Sequence, residues 1–227
     1  SLMSLFRAVA TVGSYTMASR ILGSVRDALM AAILGVSVST DAFFVAFKLP
    51  NFFRRFFAEG AFNATFVPLF SGWMVKHGHE WARASAEYVF AALFATLLAL
   101  VLLFEISMPW VIKLLAPGFS TTPERFQLTI DLARITFPYI LFISLAAFFS
   151  GVLNSFDRYA AAAGAPIILN ICMITAMVIA YFSPGQDAFF LAWGVFFGGL
   201  LQLYLLKKAS QQVGMNIRLR KPRLTQE

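Results

Sequence analysis

Polar positions along this chain are few and unevenly spread. Residues 135–156, 159–186 and 188–206 contain no Asp, Glu, Lys or Arg, and neither do residues 89–104, whose apolar run continues through Glu105 and Pro109 towards Ala116. A helix needs about 20 apolar residues to cross the hydrocarbon core of a bilayer. Two earlier segments, about 8–34 and 41–70, are equally apolar in outline but are interrupted by charge. The pattern predicts six spans, at about 8–34, 41–70, 87–116, 130–153, 160–182 and 187–206, followed by a basic tail, 207–227. The fold class expected is all-α, a polytopic membrane helical bundle. Pro138 and Pro166 interrupt the fourth and fifth spans, as conformational joints or as plain bends. Gly198-Gly199 in VFFGGLLQ predicts close helix packing.

Composition agrees with the pattern. Hydrophobic residues make up 59% of the 227 residues and charged ones 13%, against roughly 25% charged in a soluble domain; the mean hydropathy is +0.76. The net charge of +7 is therefore read as membrane topology, and no nucleic-acid partner is expected. The connections 35–40 and 183–186 lack Lys and Arg, and 117–128 has Arg125 alone. Arg7, Lys76, Arg83, Arg158 and the tail's Lys207, Lys208, Arg218, Arg220, Lys221 and Arg223 fall on the opposite side. By the positive-inside rule both termini are cytoplasmic, with contact between the tail and anionic headgroups a second reading. No cleaved signal is expected, because Arg20, Arg26 and Asp27 occupy the place of its apolar centre. Trp73, Trp81, Trp110 and Trp193 sit near span ends, as in an aromatic belt.

The charges inside the first two segments carry the chemistry. On a 3.6-residue helix Thr16, Arg20, Gly23 and Asp27 share one stripe, with Ser19 and Arg26 on the next. In the second segment Lys48, Asn51, Arg55 and Glu59 align, with Arg54 one step around, and Pro50 is expected to kink the helix near Asn51. A charge at the bilayer centre costs roughly 2.5–3.5 kcal/mol on insertion scales. These groups are therefore expected to face a shared hydrated cavity and not lipid. Arg20, Arg26, Arg54 and Arg55 outnumber Asp27 and Glu59, with Asp41 near the non-cytoplasmic end. Surplus guanidinium groups suit a phosphate, because their planar fork donates two parallel hydrogen bonds. The plainer readings are helix-end charges at Arg26 and Asp27, snorkelling at Arg54 and Arg55, an Arg55–Glu59 pair, and capping or snorkelling at Asp41 and Lys48.

The run SRILGSVRD, a short gap, and then DAFFVAFKLPNFFRRFFAEGAF resembles the opening of the MurJ (MviN) family, the bacterial lipid II flippases of the multidrug/oligosaccharidyl-lipid/polysaccharide exporter superfamily. PWVI…APGF, ITFPYILFISL and the turn at Asn154 agree with the same family. The resemblance implies a fold of two six-helix lobes and a terminal helix pair, of which residues 1–206 match the N-terminal lobe and 207–227 a linker. It implies a bacterial inner-membrane protein that flips lipid II, an undecaprenyl-diphosphate-linked muropeptide, by alternating access, driven by membrane potential or an ion gradient and without a cofactor. Arg20, Arg26 and Arg54 match the family's cavity arginines for the diphosphate, with Asn51 and Arg55 beside them. Asp27, Asp41 and Glu59 match acidic positions of pairing or gating. The expected partners are lipid II, membrane lipids, and a second lobe or another copy of the chain. The rival substrate is another anionic lipid-linked glycan or amphiphile; a membrane interaction fragment without transport is the third reading.

Nothing points to an enzyme. No Gly-rich loop followed by Lys-Ser/Thr is present for ATP, and the two histidines, His77 and His79, share one loop without a cysteine or carboxylate cluster for a metal. Cys172, the lone cysteine, reads as a packed hydrophobe.

Overall fold

The computed structural model describes residues 2–58 and 60–220, with the backbone alone at positions 57 and 58. Among these the chain is helical throughout: α1 (Leu2–Ile33), α2 (Val38–Ala58), α3 (Ala61–His77), α4 (His79–Ile106), α5 (Met108–Leu115), α6 (Pro123–Thr136), α7 (Pro138–Asn154), α8 (Ala160–Tyr181) and α9 (Asp187–Gln212), with a 3₁₀ turn at Pro117–Thr121. Four stretches are long and apolar enough to cross a membrane: His79–Ile106, Pro123–Asn154, Ala160–Tyr181 and Asp187–Gln212. The all-α membrane class is as expected; its element boundaries differ in several places.

The segment expected as one span over 41–70 is two helices. The break falls at Gly60, whose φ of 80° lies in the left-handed region, where a residue without Cβ sits at no steric cost. Helix α2 passes through Pro50 unbroken, and α8 likewise passes through Pro166. Pro138, by contrast, opens α7, because it has no N–H to bond the carbonyl one turn back. The stretch expected as 87–116 begins earlier, at His79, and its last part is the separate α5. Helix α9 continues through Lys207 and Lys208 to Gln212, so the tail begins later than 207.

Two apolar cores are built on either end of α7. One gathers Phe43 and Phe47 of α2, Met108 and Ile112 of α5, and Tyr139 of α7. The other gathers Phe66 and Phe70 of α3, Phe90 of α4, and Phe148 and Phe149 of α7. Phe66 and Phe148 are 5.2 Å apart, and Phe90 and Phe149 5.3 Å, within the range of favourable ring pairs. Helix α9 packs closely on both α7 and α8, as the glycine pair predicts. A Cβ on Gly198 would stand 2.9 Å from Leu169 Cδ1 of α8, and one on Gly199 would stand 2.5 Å from Tyr139 Cδ2 of α7.

The segment after α9 folds back onto α4. Met215 and Ile217 are buried in the second core, and Glu87, 1% exposed, receives Arg83 Nη1 at 2.6 Å and Arg220 Nε at 2.6 Å. The backbone N–H of Arg218 donates to the same carboxylate at 3.2 Å. Part of the basic tail is thus fixed to α4, because a buried carboxylate must find donors.

Candidate functional site: a cationic cleft between α1 and α2

Helix α1 lies along α8, whereas α2 lies along α6 and α7. The space left between them is a cavity of about 510 Å³. Thr16, Ser19 and Arg20 enter it from α1, Arg54 from α2, and Asn63 from α3 just beyond the Gly60 break. Ser150 and Asn154 of α7 and Gln202 of α9 complete its polar wall. The cleft is therefore walled by α7, α8 and α9 as well as by the opening helices.

The cavity brings Arg20 and Arg54 together, and neither has a carboxylate within salt-bridge distance among the described residues. Arg54 is half-buried and is held by Asn51, whose Oδ1 accepts from Nε at 3.1 Å and from Nη2 at 2.8 Å. A neutral amide orients this guanidinium without cancelling its charge. Arg26, Asp27 and Arg55 lie within electrostatic reach of Arg54.

Arg26 corrects the expectation of unpaired arginines. It forms an ion pair with Asp27 at 3.0 Å and donates from Nη1 to Asn170 Oδ1 at 2.9 Å. It lies outside the lining of the cavity. The stripe expected to carry Arg20, Gly23 and Asp27 inward also divides: Asp27 is 68% exposed, while Ser19 and Arg26, from the neighbouring stripe, meet α8 through Asn170. The same selection occurs on α2. Lys48 and Arg55 are exposed, and Asn51 and Arg54 face inward. Asp41 is exposed in the first turn of α2, where a carboxylate favours the helix dipole. The Ser37 hydroxyl caps that turn by accepting the Thr40 N–H at 3.2 Å. Glu59 lies outside the described residues, and with it the Arg55–Glu59 pairing.

Several polar residues of the site were missed in the sequence. Gln202, 1% exposed, accepts from the Tyr139 hydroxyl at 3.2 Å and donates to the Ala165 carbonyl at 2.7 Å, tying α7, α9 and α8 together behind Arg54. The side-chain carbonyls of Asn63 and Asn154 are buried against the cavity without a protein partner. A lone amide in an otherwise apolar run at membrane depth is the signal that would have found them, since a polar group there needs a partner.

At the end of the cleft near the α7–α8 turn, Tyr159 donates to Asp157 at 3.0 Å. This bond, with partial burial, lifts the phenol's ionisation above its ordinary range. Asp157 itself has φ 57°, a left-handed turn position that Asp tolerates. His77 and His79 serve as aromatic surfaces, 4.2 Å from Trp81 and 5.8 Å from Phe156.

Fold and site together define a polytopic helical membrane protein with an arginine-lined cleft. The comparisons with known proteins place it more narrowly. The family model described as lipid II flippase MurJ matches residues 30–227, and the chain belongs to that family. It is 48% identical over 228 residues to a probable lipid II flippase MurJ of Rhizobium meliloti (strain 1021), covering 98% of this chain and 42% of the relative. Against the lipid II flippase MurJ of Burkholderia cenocepacia it is 38% identical over 213 residues, 94% of this chain and 41% of the other. A solved lipid II flippase MurJ in an inward closed conformation superposes with a TM-score of 0.78 at 30% identity, over 92% of this chain and 42% of that one. The chain thus spans less than half the length of the relatives it matches.

Proposed function

We propose that this chain is the N-terminal lobe of a lipid II flippase and contributes half of the site that carries the lipid-linked diphosphate across the bacterial inner membrane. The carrying observation is that Arg20 and Arg54 line one cavity of about 510 Å³ without a carboxylate partner among the described residues. Two such guanidinium groups supply charge-assisted, bidentate donors, and phosphate oxygens are their natural acceptors. Asn51 orients Arg54. Arg26, paired with Asp27, is the third cation, and Arg55 lies beside it. Asp27, Asp41 and Glu59 act in pairing and gating as the lobe moves.

In this reading α1 is the first of six spans and α2–α3 together form the second, with the four apolar stretches as the others. Both ends of the lobe are cytoplasmic, on the face where the α7–α8 turn with Arg158 and Tyr159 and the end of α9 lie. A second lobe, or another copy of this chain, closes the opposite wall, and alternating access rocks the two against each other. Transport draws on membrane potential or an ion gradient.

Native mass spectrometry of the purified chain, with lipid II and a phospholipid lacking a diphosphate in competition, tests the reading. Lipid II is expected to displace the phospholipid, and Arg20→Ala and Arg54→Ala to abolish that preference. Equal retention of both lipids by the unaltered chain would overturn it. Equal preference for another diphosphate-linked glycan would favour the rival substrate class.

A further inference from the structure

We propose that Asn170 is the positioning residue for Arg26 and aims this guanidinium at the anion; the inference rests on the diphosphate reading above. Arg26 stands outside the cavity lining but within electrostatic reach of Arg54. Arg26 carries five N–H donors. Nε and Nη2 donate to Asp27 Oδ1 at 3.1 and 3.0 Å, and Nη1 donates to Asn170 Oδ1 at 2.9 Å. Three donors are therefore engaged, and one N–H remains on each terminal nitrogen. A pair of donors on adjacent nitrogens matches two phosphate oxygens.

Asp27 is a poor guide for that fork. It is the next residue in sequence, so the two side chains leave α1 in different directions, and its carboxylate is 68% exposed and screened by solvent. Asn170 is the fixed point. It is 5% exposed on α8, and its Nδ2 donates to the Ser19 carbonyl at 3.1 Å. That second bond settles the amide's orientation: turned over, it would set N–H against N–H at Arg26 and carbonyl against carbonyl at Ser19. An amide also does what a carboxylate cannot, since it accepts from the guanidinium without adding another negative charge beside a group that is to bind an anion. Room for it comes from Gly23, where a Cβ would already stand 3.8 Å from Asn170 Nδ2. Asn51 holds Arg54 from its own helix in the same neutral way; Asn170 does so for Arg26 from the neighbouring helix.

The test is a double-mutant cycle on the purified chain, with affinities for lipid II and for undecaprenyl monophosphate read by native mass spectrometry. Asn170→Ala is expected to weaken lipid II binding about 3- to 10-fold and undecaprenyl monophosphate less, as a lost fork requires. In the Arg26→Ala background the same change is expected to have no further effect, because non-additivity marks residues acting through one another. Asn170→Asp keeps an acceptor but adds charge, and is expected to weaken binding at least as much. Gly23→Leu displaces Asn170 from the other side and should reproduce the loss if the Asn170 variants do not insert; Gly13→Leu, at a position with nothing within 4 Å of its Cβ site, is the silent control. An Asn170→Ala effect that is absent, or that adds fully to Arg26→Ala, overturns the positioning role. Should Arg26→Ala itself leave lipid II binding intact, the diphosphate reading at this arginine fails instead.

Discussion

Two regions of this molecule combine arginine with a carboxylate, and they do so in opposite ways. At the α4 face one carboxylate, Glu87, is almost wholly buried and is surrounded by Arg83, Arg220 and the Arg218 backbone. In the cleft Arg20 and Arg54 have no carboxylate partner among the described residues, and Asn51 orients Arg54 with a neutral amide. The first arrangement is closed. A buried carboxylate with a guanidinium at each oxygen ties the segment after α9 to α4. The second leaves the Arg20 and Arg54 side chains lining a cavity. What separates the two regions is which charges lack a counter-charge among the described residues, and the number of charges alone does not reveal it.

The contrast is broken most severely at Glu87. Glu87→Ala removes the carboxylate shared by Arg83, Arg220 and the Arg218 N–H, although Arg83 keeps Glu80 and Arg220 is 61% exposed. It is expected to destabilise the fold by about 1.5–3 kcal/mol, measured by thermal unfolding of the purified chain in detergent, while lipid II affinity changes less than about 2-fold. A comparable loss of binding would mean that the α4 face and the cleft are not separate. Arg54→Ala should do the reverse. A lost charge-assisted interaction is worth roughly 1.5–3 kcal/mol, or about 10- to 100-fold in affinity, with stability altered by no more than about 0.5 kcal/mol. Unchanged affinity for lipid II in this variant would remove Arg54 from the site.

Arg54→Lys sharpens the same point. It keeps the charge and loses the fork, so a loss of about 3- to 10-fold is expected; full affinity would show that positive potential alone suffices. The smallest effect is expected at Arg220, whose side chain is 61% exposed. Its replacement by Ala should cost about 0.5 kcal/mol, as for a solvent-screened pair, and unfolding midpoints of the two proteins compared at high and low salt would check it.

Much of this was legible in the chain itself. Uncharged runs and sparse loops announced helices at membrane depth, and two of the charges in the first two segments, Arg20 and Arg54, do line one cavity. The Gly198-Gly199 pair foretold the close approach of α9, and the Asn51–Arg54 spacing lies within one helical turn. Other features were out of reach. Pro50 was expected to kink the second segment near Asn51, yet the helix runs on to Ala58 and the break falls at Gly60, because one missing hydrogen bond inside a packed helix is tolerated and a left-handed residue ends it. Glu87 and the residues after Gln212 are too far apart in sequence for any local pattern to pair them.

By itself, then, the sequence determined the all-helical membrane class and the two helices that bear charge, since both depend on composition and period within a single segment. Tertiary structure decided which charges face the cleft. Neighbouring residues on a helix point about 100° apart, so Arg54 and Arg55, or Arg26 and Asp27, are equivalent candidates until surrounding helices occupy one side. Helices α6 and α7 press on α2 and select Arg54. Helix α8, through Asn170, draws Arg26 to its own side of α1 and outside the cavity lining, because a half-buried guanidinium settles where an acceptor is within reach.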